Sequence, residues 1–343
     1  MNNLSPAAQF ENFVANIFQV MDYQVSISNE KDYDLNLNVD QQQYVIGIKY
    51  YRTTRAQMSL IKNAVSRLAR SAIALSANKV LVVSSIIEDM SREALEKEFA
   101  VNIVDLADLL CWTSPFPELF EQLSNLLELK SLEEFTRKGR HIDCALTVNC
   151  NDKARLYSPL AFSDEADMAD SLVSELDKIK FGKGAWRSYE IHAEKILNYL
   201  FENDLYGWQS QLRTDDGLNR YDYVCRIKAT TDFWKLLIER LNSQYIIFEF
   251  KNYREKIGQQ QIITTEKYLL EKGLRKVAII LTRNGANESA KKMAKGAMRE
   301  LGKLLIMLDD SEIKKMIELK QAGSDPTDYL FEKTDQFLLE LSR

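Results

Sequence analysis

One order of predicted secondary structure occurs twice along this chain, and this repetition restricts the folds that the chain can adopt. In each half, an amphipathic helix precedes strand-like segments, a second helix and an apolar run that begins at a lysine. Short segments also match in the same order. The matching pairs are 45–52 (VIGIKYYR) with 247–254 (IFEFKNYR), 79–83 (KVLVV) with 276–280 (KVAII), and 104–105 (VD) with 308–309 (LD). The pattern predicts an internal duplication.

Strand and helix patterns alternate in both halves, which is typical of α/β domains with mixed sheets and flanking helices. In the N-terminal part, alternating apolar residues predict strands at 23–27, 33–39 and 44–51, and helical spacing predicts helices at 10–21 and 57–75. The other predicted elements are strands at 79–83, 221–225, 245–253, 276–281 and 304–308, a strand running into a helix at 101–110, and helices at 188–201, 233–238 and 262–270.

The length of 343 residues fits two domains and a linker. Pro115 and Pro117 interrupt the pattern, and the segment that follows is acidic and less regular. We therefore predict a first domain at 1–112, a partly helical acidic connector at 113–185 and a second domain at 186–343.

The chain lacks the residues that several common kinds of site need. Its four cysteines form no CxxC pair, its two histidines are too few for a histidine-built metal cluster, and neither GxGxxG nor GxxxxGK[ST] occurs. Any catalysis by this chain would therefore depend on carboxylates and lysines. Residues 1–6 lack the features of a signal peptide, and no long apolar run is present, so we expect a cytoplasmic protein with no membrane partner.

The net charge of −5 conceals a basic stretch. Residues 41–87 contain no Asp or Glu but carry seven Lys and Arg residues. Such a stretch is typical of surfaces that contact nucleic-acid phosphates, although a solvated helix face that is basic by composition would look the same. The residues that we predict to contact nucleic acid are Lys49, Arg52, Arg55, Lys62, Arg67 and Arg70.

An acid and a lysine share one face of the predicted strand at 245–253. Side chains alternate along a strand, so Glu249 and Lys251 lie on one face and the flanking phenylalanines on the other. If the preceding strand places Asp222 beside Glu249, two carboxylates and one ammonium converge. Oxygen ligands of this kind suit Mg²⁺ or Mn²⁺, which would polarise a phosphate and lower the pKa of a bound water. Lys251 could orient that water or offset charge in the transition state.

These residues resemble the PD-(D/E)xK nuclease superfamily, and more narrowly its Mrr-like restriction endonuclease branch. The order of helix glutamate, strand aspartate, acid-x-Lys strand and helix covers about 188–308 and, more weakly, the first 112 residues. The resemblance implies two restriction-endonuclease-like domains. It also implies that Asp222 and Glu249 are metal ligands and that Lys251 is the catalytic lysine.

Two further candidates follow from the resemblance. Glu194 is similar to the auxiliary helix acid of the superfamily, and Glu190, one turn earlier, is the competing candidate. Gln261 is similar to the glutamine that follows the lysine strand in some branches, although Gln259 and Gln260 lie next to it. The resemblance thus implies catalytic roles for Glu194 and Gln261.

The first copy departs from this pattern at one position. Glu11, Asp34 and Lys49 match the helix acid, the strand aspartate and the lysine, but Gly47 stands where the second carboxylate should be. A single aspartate leaves most of the charge of a divalent cation uncompensated. We therefore expect the first domain to be catalytically inactive, with either a DNA-binding role or a structural or dimerising role.

The resemblance implies a Mg²⁺-dependent endonuclease that hydrolyses DNA, in bacterial restriction or antiphage defence, with a possible partner protein from a defence system. Because each chain would hold one active site, cleavage of both strands favours a homodimer. Two alternatives stay open. One is a nuclease for RNA or single-stranded DNA, which Tyr50, Tyr51 and Tyr253 could contact. The other is a non-catalytic nucleic-acid-binding subunit.

Overall fold

The computed structural model describes residues 5–30, 32–39, 42–71, 77–129, 138–147, 163–211 and 221–342. The chain divides into two compact units. Unit 1 comprises residues 1–163 and 320–325, and unit 2 comprises residues 164–319 and 326–343. Each unit contains one five-stranded sheet.

The sheet of unit 1 has its strands in chain order. The first and second strands pair antiparallel, as do the second and third, whereas the third, fourth and fifth strands run parallel to one another. The strands are β1 (Gln24–Ile27), β2 (Leu35–Val39), β3 (Gln42–Lys49), β4 (Asn78–Val83) and β5 (Asn102–Val104). Their alternation of buried side chains creates one apolar core on each face of the sheet.

Helices cover both faces of this sheet. Those described are α1 (Pro6–Val20), α2 (Met58–Ser71), α3 (Asp89–Phe99), α4 (Leu106–Thr113), α5 (Pro117–Leu126) and α6 (Ile142–Thr147). The second and third helices make the crossovers that parallel strands require, and they pack together on one face. The other four pack on the opposite face around Phe10 and Phe18.

Unit 2 has a sheet with the same strand order and the same sequence of antiparallel and parallel pairs. Its strands are β6 (Leu205–Ser210), β7 (Tyr223–Ile227), β8 (Tyr245–Lys251), β9 (Val277–Thr282) and β10 (Leu304–Leu308). The central strand β8 is the counterpart of β3. Both strands lie between an antiparallel and a parallel neighbour.

The helices of unit 2 also divide between the two faces. They are α7 (Ser163–Lys178), α8 (Trp186–Phe201), α9 (Asp232–Glu239), α10 (Gln259–Glu266), α11 (Glu288–Leu301), α12 (Asp310–Gln321) and α13 (Pro326–Leu339). Ile262 and three alanines of α11 pack on the face that carries Ile247. The other helices contribute to the larger core on the opposite face.

The α/β class with mixed sheets is confirmed, and so is the helix predicted at 233–238, which is α9. The predicted helix at 57–75 ends at Ser71, and residues 72–76 lie outside the described residues. The pattern did not predict β6 or the helices α11, α12 and α13. Among the described residues, no helix has both the length and the apolar character needed to cross a membrane.

The described residues of the predicted connector do not form a separate body. Leu119 and Leu123 of α5 are buried in the core of unit 1, whereas Leu172 and Leu176 of α7 are buried in that of unit 2. Helical spacing of leucines gives each helix an apolar stripe, and burial of that stripe ties it to the nearest core. Residues 130–137 and 148–162 of the segment lie outside the described residues. The domain boundaries predicted at residues 112 and 185 stay a prediction.

Candidate active site

Strand pairing in unit 2 brings Asp222 to the end of β8. Asp222 directly precedes β7, whose first residue, Tyr223, pairs with Phe248 in an antiparallel register. The backbone N–H of Phe250 donates a hydrogen bond of 3.0 Å to Asp222 Oδ2. This bond fixes the carboxylate beside the backbone between Glu249 and Lys251.

Glu249 and Lys251 form a close ion pair on one face of β8. The distance from Lys251 Nζ to Glu249 Oε1 is 2.6 Å, and both side chains are largely shielded from solvent. The second carboxylate oxygen, Glu249 Oε2, is buried and has no hydrogen-bond partner among the described residues. A buried carboxylate oxygen without a partner is costly, so this atom is available to a cation or a water.

The electrostatics of the pair follow from burial and from the nearby Asp222. Burial raises the pKa of Glu249 to about 7; the ammonium of Lys251 opposes this shift, and Asp222 adds to it through its charge and through a side-chain hydrogen bond. Such a bond requires a proton on one of the two carboxyl groups, so Glu249 Oε2 is without a donor when both are ionised. Burial alone would lower the pKa of Lys251, but the carboxylates of Glu249 and Asp222 outweigh burial and raise it. Two acids therefore share one ammonium, and the lysine keeps its charge at neutral pH.

Glu194, on α8, lies within the electrostatic field of this cluster. Burial raises the pKa of Glu194, and Asp222 raises it further. Glu190 instead accepts a hydrogen bond of 3.4 Å from Gln211 Nε2. Between these two candidates, the coupling to Asp222 favours Glu194 as the helix acid, and its catalytic role stays a prediction.

Gln261 has a structural task in the helix that follows β8. Its Oε1 accepts a hydrogen bond of 3.0 Å from the backbone N–H of Gly258, which closes the N-terminal cap of α10. Within the described parts of unit 2, no hydrogen bond joins Gln261 to Asp222, Glu249 or Lys251. A catalytic role for this residue stays a prediction.

Two carboxylates, rather than three, are available for a metal ion. Among the described residues, no group of three or more Asp, Glu, His or Cys side chains converges on one ion position. Asp222 and the buried, unpartnered Oε2 of Glu249 nevertheless supply the hard oxygen donors that Mg²⁺ or Mn²⁺ prefers. These residues fit a divalent cation, which they would hold with two carboxylates and which would need further ligands from waters, backbone or substrate.

Unit 1 repeats this arrangement without the second carboxylate. The backbone N–H of Ile48 donates a hydrogen bond of 2.6 Å to Asp34 Oδ2, just as Phe250 does to Asp222 in unit 2. Gly47 occupies the position of Glu249, and a cavity of about 70 Å³ lies beside it, lined in part by Asp34 and Lys49.

The corresponding lysines of the two units differ in the direction of their pKa shifts. Burial lowers the pKa of Lys49; Asp34 opposes this shift, but Arg67 adds to it. The pKa of Lys251, which faces Glu249, moves in the opposite direction. Burial raises the pKa of Glu11, and Asp34 raises it further, so the helix acid also lies within reach of the aspartate.

The six predicted nucleic-acid contacts occupy different environments. Lys49 and Arg67 line the cavity of unit 1, and Arg67 Nε donates to Asp32 Oδ1 at 3.0 Å. Arg52 and Arg55 lie on the connection between β3 and α2, where Arg52 is half-buried and Arg55 is exposed. Lys62 and Arg70 are exposed on α2. The exposed residues Arg55, Lys62 and Arg70 are therefore the ones best able to reach an external phosphate.

Sequence reasoning missed a buried network that supports the end of β8. Asn252, directly after Lys251, donates hydrogen bonds from Nδ2 to the backbone oxygens of Lys180 (3.0 Å) and Gly182 (3.1 Å). Arg283 is buried and donates to Asn252 Oδ1 at 3.4 Å and to Asp310 Oδ2 at 2.6 Å. The signal in the sequence was a polar amide directly after an apolar strand.

Comparison with known families finds a match, which lies in unit 1. Residues 2–113 match the Mrr catalytic-domain family, which is described as a restriction endonuclease. The first third of the chain is therefore similar to this restriction endonuclease family. The match ends within unit 1, so the pair of Glu249 and Lys251 lies outside it. The matched residues thus include Gly47, which stands in place of the second carboxylate.

Two solved structures are similar to this chain at low identity. One is described as the DNA modification-dependent restriction endonuclease AspBHI, with 13% identity, a TM-score of 0.27 and 51% of this chain covered. The other is the restriction endonuclease FokI bound to DNA, with 11% identity, a TM-score of 0.35 and 84% covered. The chain spans 40% of the first and 50% of the second. None of the curated proteins matches it.

Proposed function

We propose that unit 2 is a Mg²⁺- or Mn²⁺-dependent endonuclease that hydrolyses DNA phosphodiester bonds. The observation that carries this proposal is the convergence of Asp222, Glu249 and Lys251, with one carboxylate oxygen of Glu249 buried and without a partner. The restriction endonuclease domain in the same chain supports the choice of DNA as substrate. Glu194 and Gln261 are the proposed auxiliary catalytic residues.

Each residue of the cluster has a distinct task in this proposal. Asp222 and Glu249 would hold the ion, and the hydrogen bond from Phe250 N–H keeps Asp222 in place. When bound, the ion supplies Lewis acidity, which polarises a phosphate and favours ionisation of a water. Lys251 retains its positive charge at neutral pH and offsets negative charge that develops on the phosphate.

The direct test is cleavage of a supercoiled plasmid. We expect nicked and linear products with Mg²⁺ or Mn²⁺ and intact plasmid with EDTA, because EDTA would remove the divalent cation that Asp222 and Glu249 are proposed to hold. Single-stranded DNA and RNA of the same sequence serve as competing substrates, since the exposed Tyr253 near Lys251 could stack on an unpaired base. If the protein binds the plasmid but does not cleave it at any metal concentration, the result would instead support a non-catalytic binding subunit.

We propose that unit 1 is a second, catalytically inactive copy of the same fold that binds DNA. The shared strand order and the matching hydrogen bonds to Asp34 and Asp222 support a common origin. Gly47 removes the second metal ligand, whereas the exposed basic residues of unit 1 remain available to phosphates.

Replacement of two exposed arginines tests this DNA-binding role. For Arg55→Gln with Arg70→Gln, we expect weaker duplex binding and a slope of log affinity against log salt that falls by about 2, because each phosphate contact contributes about one unit. Lys97→Gln, on the exposed part of α3 and outside the basic stretch, is the matched control. An unchanged salt slope in the double variant would mean that this surface does not face phosphate.

The biological setting is part of the same proposal. A role in bacterial restriction or antiphage defence, in the cytoplasm and with a possible defence partner, would suit a restriction endonuclease domain. One complete cluster per chain favours a homodimer for cleavage of both strands of a duplex.

A further inference from the structure

A cleft of about 410 Å³ lies in unit 2, apart from the cluster of Asp222, Glu249 and Lys251, none of which lines it. Residues 284–286, which follow β9, and Asp309, which follows β10, form its edge nearest the sheet. In α/β folds, the crevice outside the carboxyl ends of parallel strands is the usual place for ligands. The volume also lies within the range of small-molecule sites.

The acidic side chains of this cleft are already engaged. Asp309 Oδ1 accepts hydrogen bonds from the backbone N–H groups of Ser311 and Glu312, each at 3.0 Å, and so caps α12. Glu312 is paired with Lys333, and Glu340 is paired with Lys295 at 2.9 Å. Their negative charges are therefore largely compensated by partners within the protein.

Two lysines at the mouth of the cleft carry positive charge that ion pairs within the protein offset little or not at all. Lys256 is exposed and forms no ion pair with any described residue. Lys291 pairs only with Glu288 at 2.9 Å, and both side chains are more than half exposed, so this pair contributes little. The available charge in the cleft is thus positive, which favours an anionic ligand.

The wall of the cleft includes an aromatic surface. Phe337 of α13 and Met307 of β10 line it, and both are half-buried. An apolar wall beside two lysines fits a ligand that has both a planar apolar part and an anionic part. A bare phosphate would leave the aromatic wall in contact with water.

The backbone around Lys256 is held in place before any ligand binds. The N–H of Ile257 donates to Gly285 O at 3.0 Å, and the N–H of Asn287 donates to Ile257 O at 2.9 Å. These bonds tie the segment after β8 to the loop after β9. Lys256 is thereby anchored next to residues 284–286, which lowers the entropy lost on binding.

We propose that this cleft binds a nucleoside monophosphate. Lys256 and Lys291 contact the phosphate, and the base lies against Phe337. The site is separate from the proposed nuclease cluster and does not depend on a metal ion.

The test is calorimetric titration of the full-length protein with each of the four nucleoside monophosphates, and with inorganic phosphate, in EDTA and without DNA. We expect saturable binding of at least one nucleotide at one site per chain, and binding of phosphate at least tenfold weaker. Lys256→Gln with Lys291→Gln should weaken nucleotide binding at least tenfold. Lys272→Gln, an exposed lysine outside the cleft, is the control and should bind as the wild type does.

Three results would overturn the proposal: no saturable uptake of any nucleotide, equal affinity in the double variant, or affinity for phosphate equal to that for the nucleotide. A fourth result, from competition with DNA, would overturn it as well. If a short DNA duplex displaces the bound nucleotide, the cleft is a contact for the DNA backbone rather than a nucleotide site. The titration needs neither metal nor cleavage, so a negative result would not affect the proposed nuclease activity. Likewise, an absence of nuclease activity would not affect the proposed nucleotide site.

Discussion

Lys251→Ala is expected to lower the rate of DNA cleavage by about 10²- to 10³-fold, the usual effect of removing one group that stabilises transition-state charge. The lysine is charged at neutral pH and lies 2.6 Å from Glu249, so it belongs to the proposed site. The chain offers a matched control. Lys49→Ala removes the corresponding lysine of unit 1, and we expect its rate of cleavage of bound DNA to stay within about twofold of the wild type.

The measurement is single-turnover cleavage of a labelled duplex at saturating protein, which separates the rate of chemistry from DNA affinity. Lys251→Ala should still take up Mn²⁺, since Asp222 and Glu249 remain, and this uptake shows that the variant is folded. Wild-type cleavage by Lys251→Ala would refute the assignment of the catalytic lysine. Equal losses of cleavage rate in Lys251→Ala and Lys49→Ala would mean that both units contribute to the catalytic step.

Gly47→Glu should create in unit 1 the metal site that its sequence lacks. A Cβ at Gly47 would lie 3.4 Å from Leu68 Cδ2 and 3.5 Å from Leu81 Cδ1, which is ordinary contact, and the neighbouring cavity offers further space. Without metal, a buried carboxylate beside Asp34 should lower the free energy of unfolding by about 2–4 kcal/mol. Millimolar Mn²⁺ should restore about 2 kcal/mol of this loss by binding the folded state.

This experiment is made in a Glu249→Gln background, so that unit 2 does not contribute metal binding. Urea unfolding with and without Mn²⁺ measures the difference. Gly47→Gln, which has the same size and no charge, is the control and should gain nothing from the metal. Equal stabilisation of the Glu and Gln variants would show that the missing carboxylate does not explain the difference between the two units.

The strands and the chemical core of the site could be predicted from the sequence because both depend on short-range patterns. Alternation along β8 placed Glu249 and Lys251 on one face, and the structure has them in contact. The position of Asp222 depends on pairing between β7 and β8. The sequence alone predicts Asp222 beside Glu249 only if these two strands are neighbours in the sheet. The hydrogen bond from Phe250 N–H is a consequence of that register.

Other features depend on tertiary contacts and could not be predicted. The sequence predicts an acidic connector at 113–185, which stays a prediction, but it does not show that leucines of α5 and α7 are buried in separate cores. The resemblance favours Gln261 for its place after the lysine strand, but it does not show that this residue caps α10. The partners of Asn252 and Arg283 could not be predicted, because their contacts join segments that lie far apart in the chain.

Calorimetric titration of Mn²⁺ into the wild type and into Glu249→Gln, with and without a DNA duplex, measures whether unit 2 holds a divalent cation. We expect uptake at a site of unit 2 in the wild type and its loss in Glu249→Gln, while Gly47→Ala, a control in unit 1, binds as the wild type does. No uptake by the wild type even with DNA, or equal uptake by Glu249→Gln, would contradict the proposal that Asp222 and Glu249 hold a divalent cation.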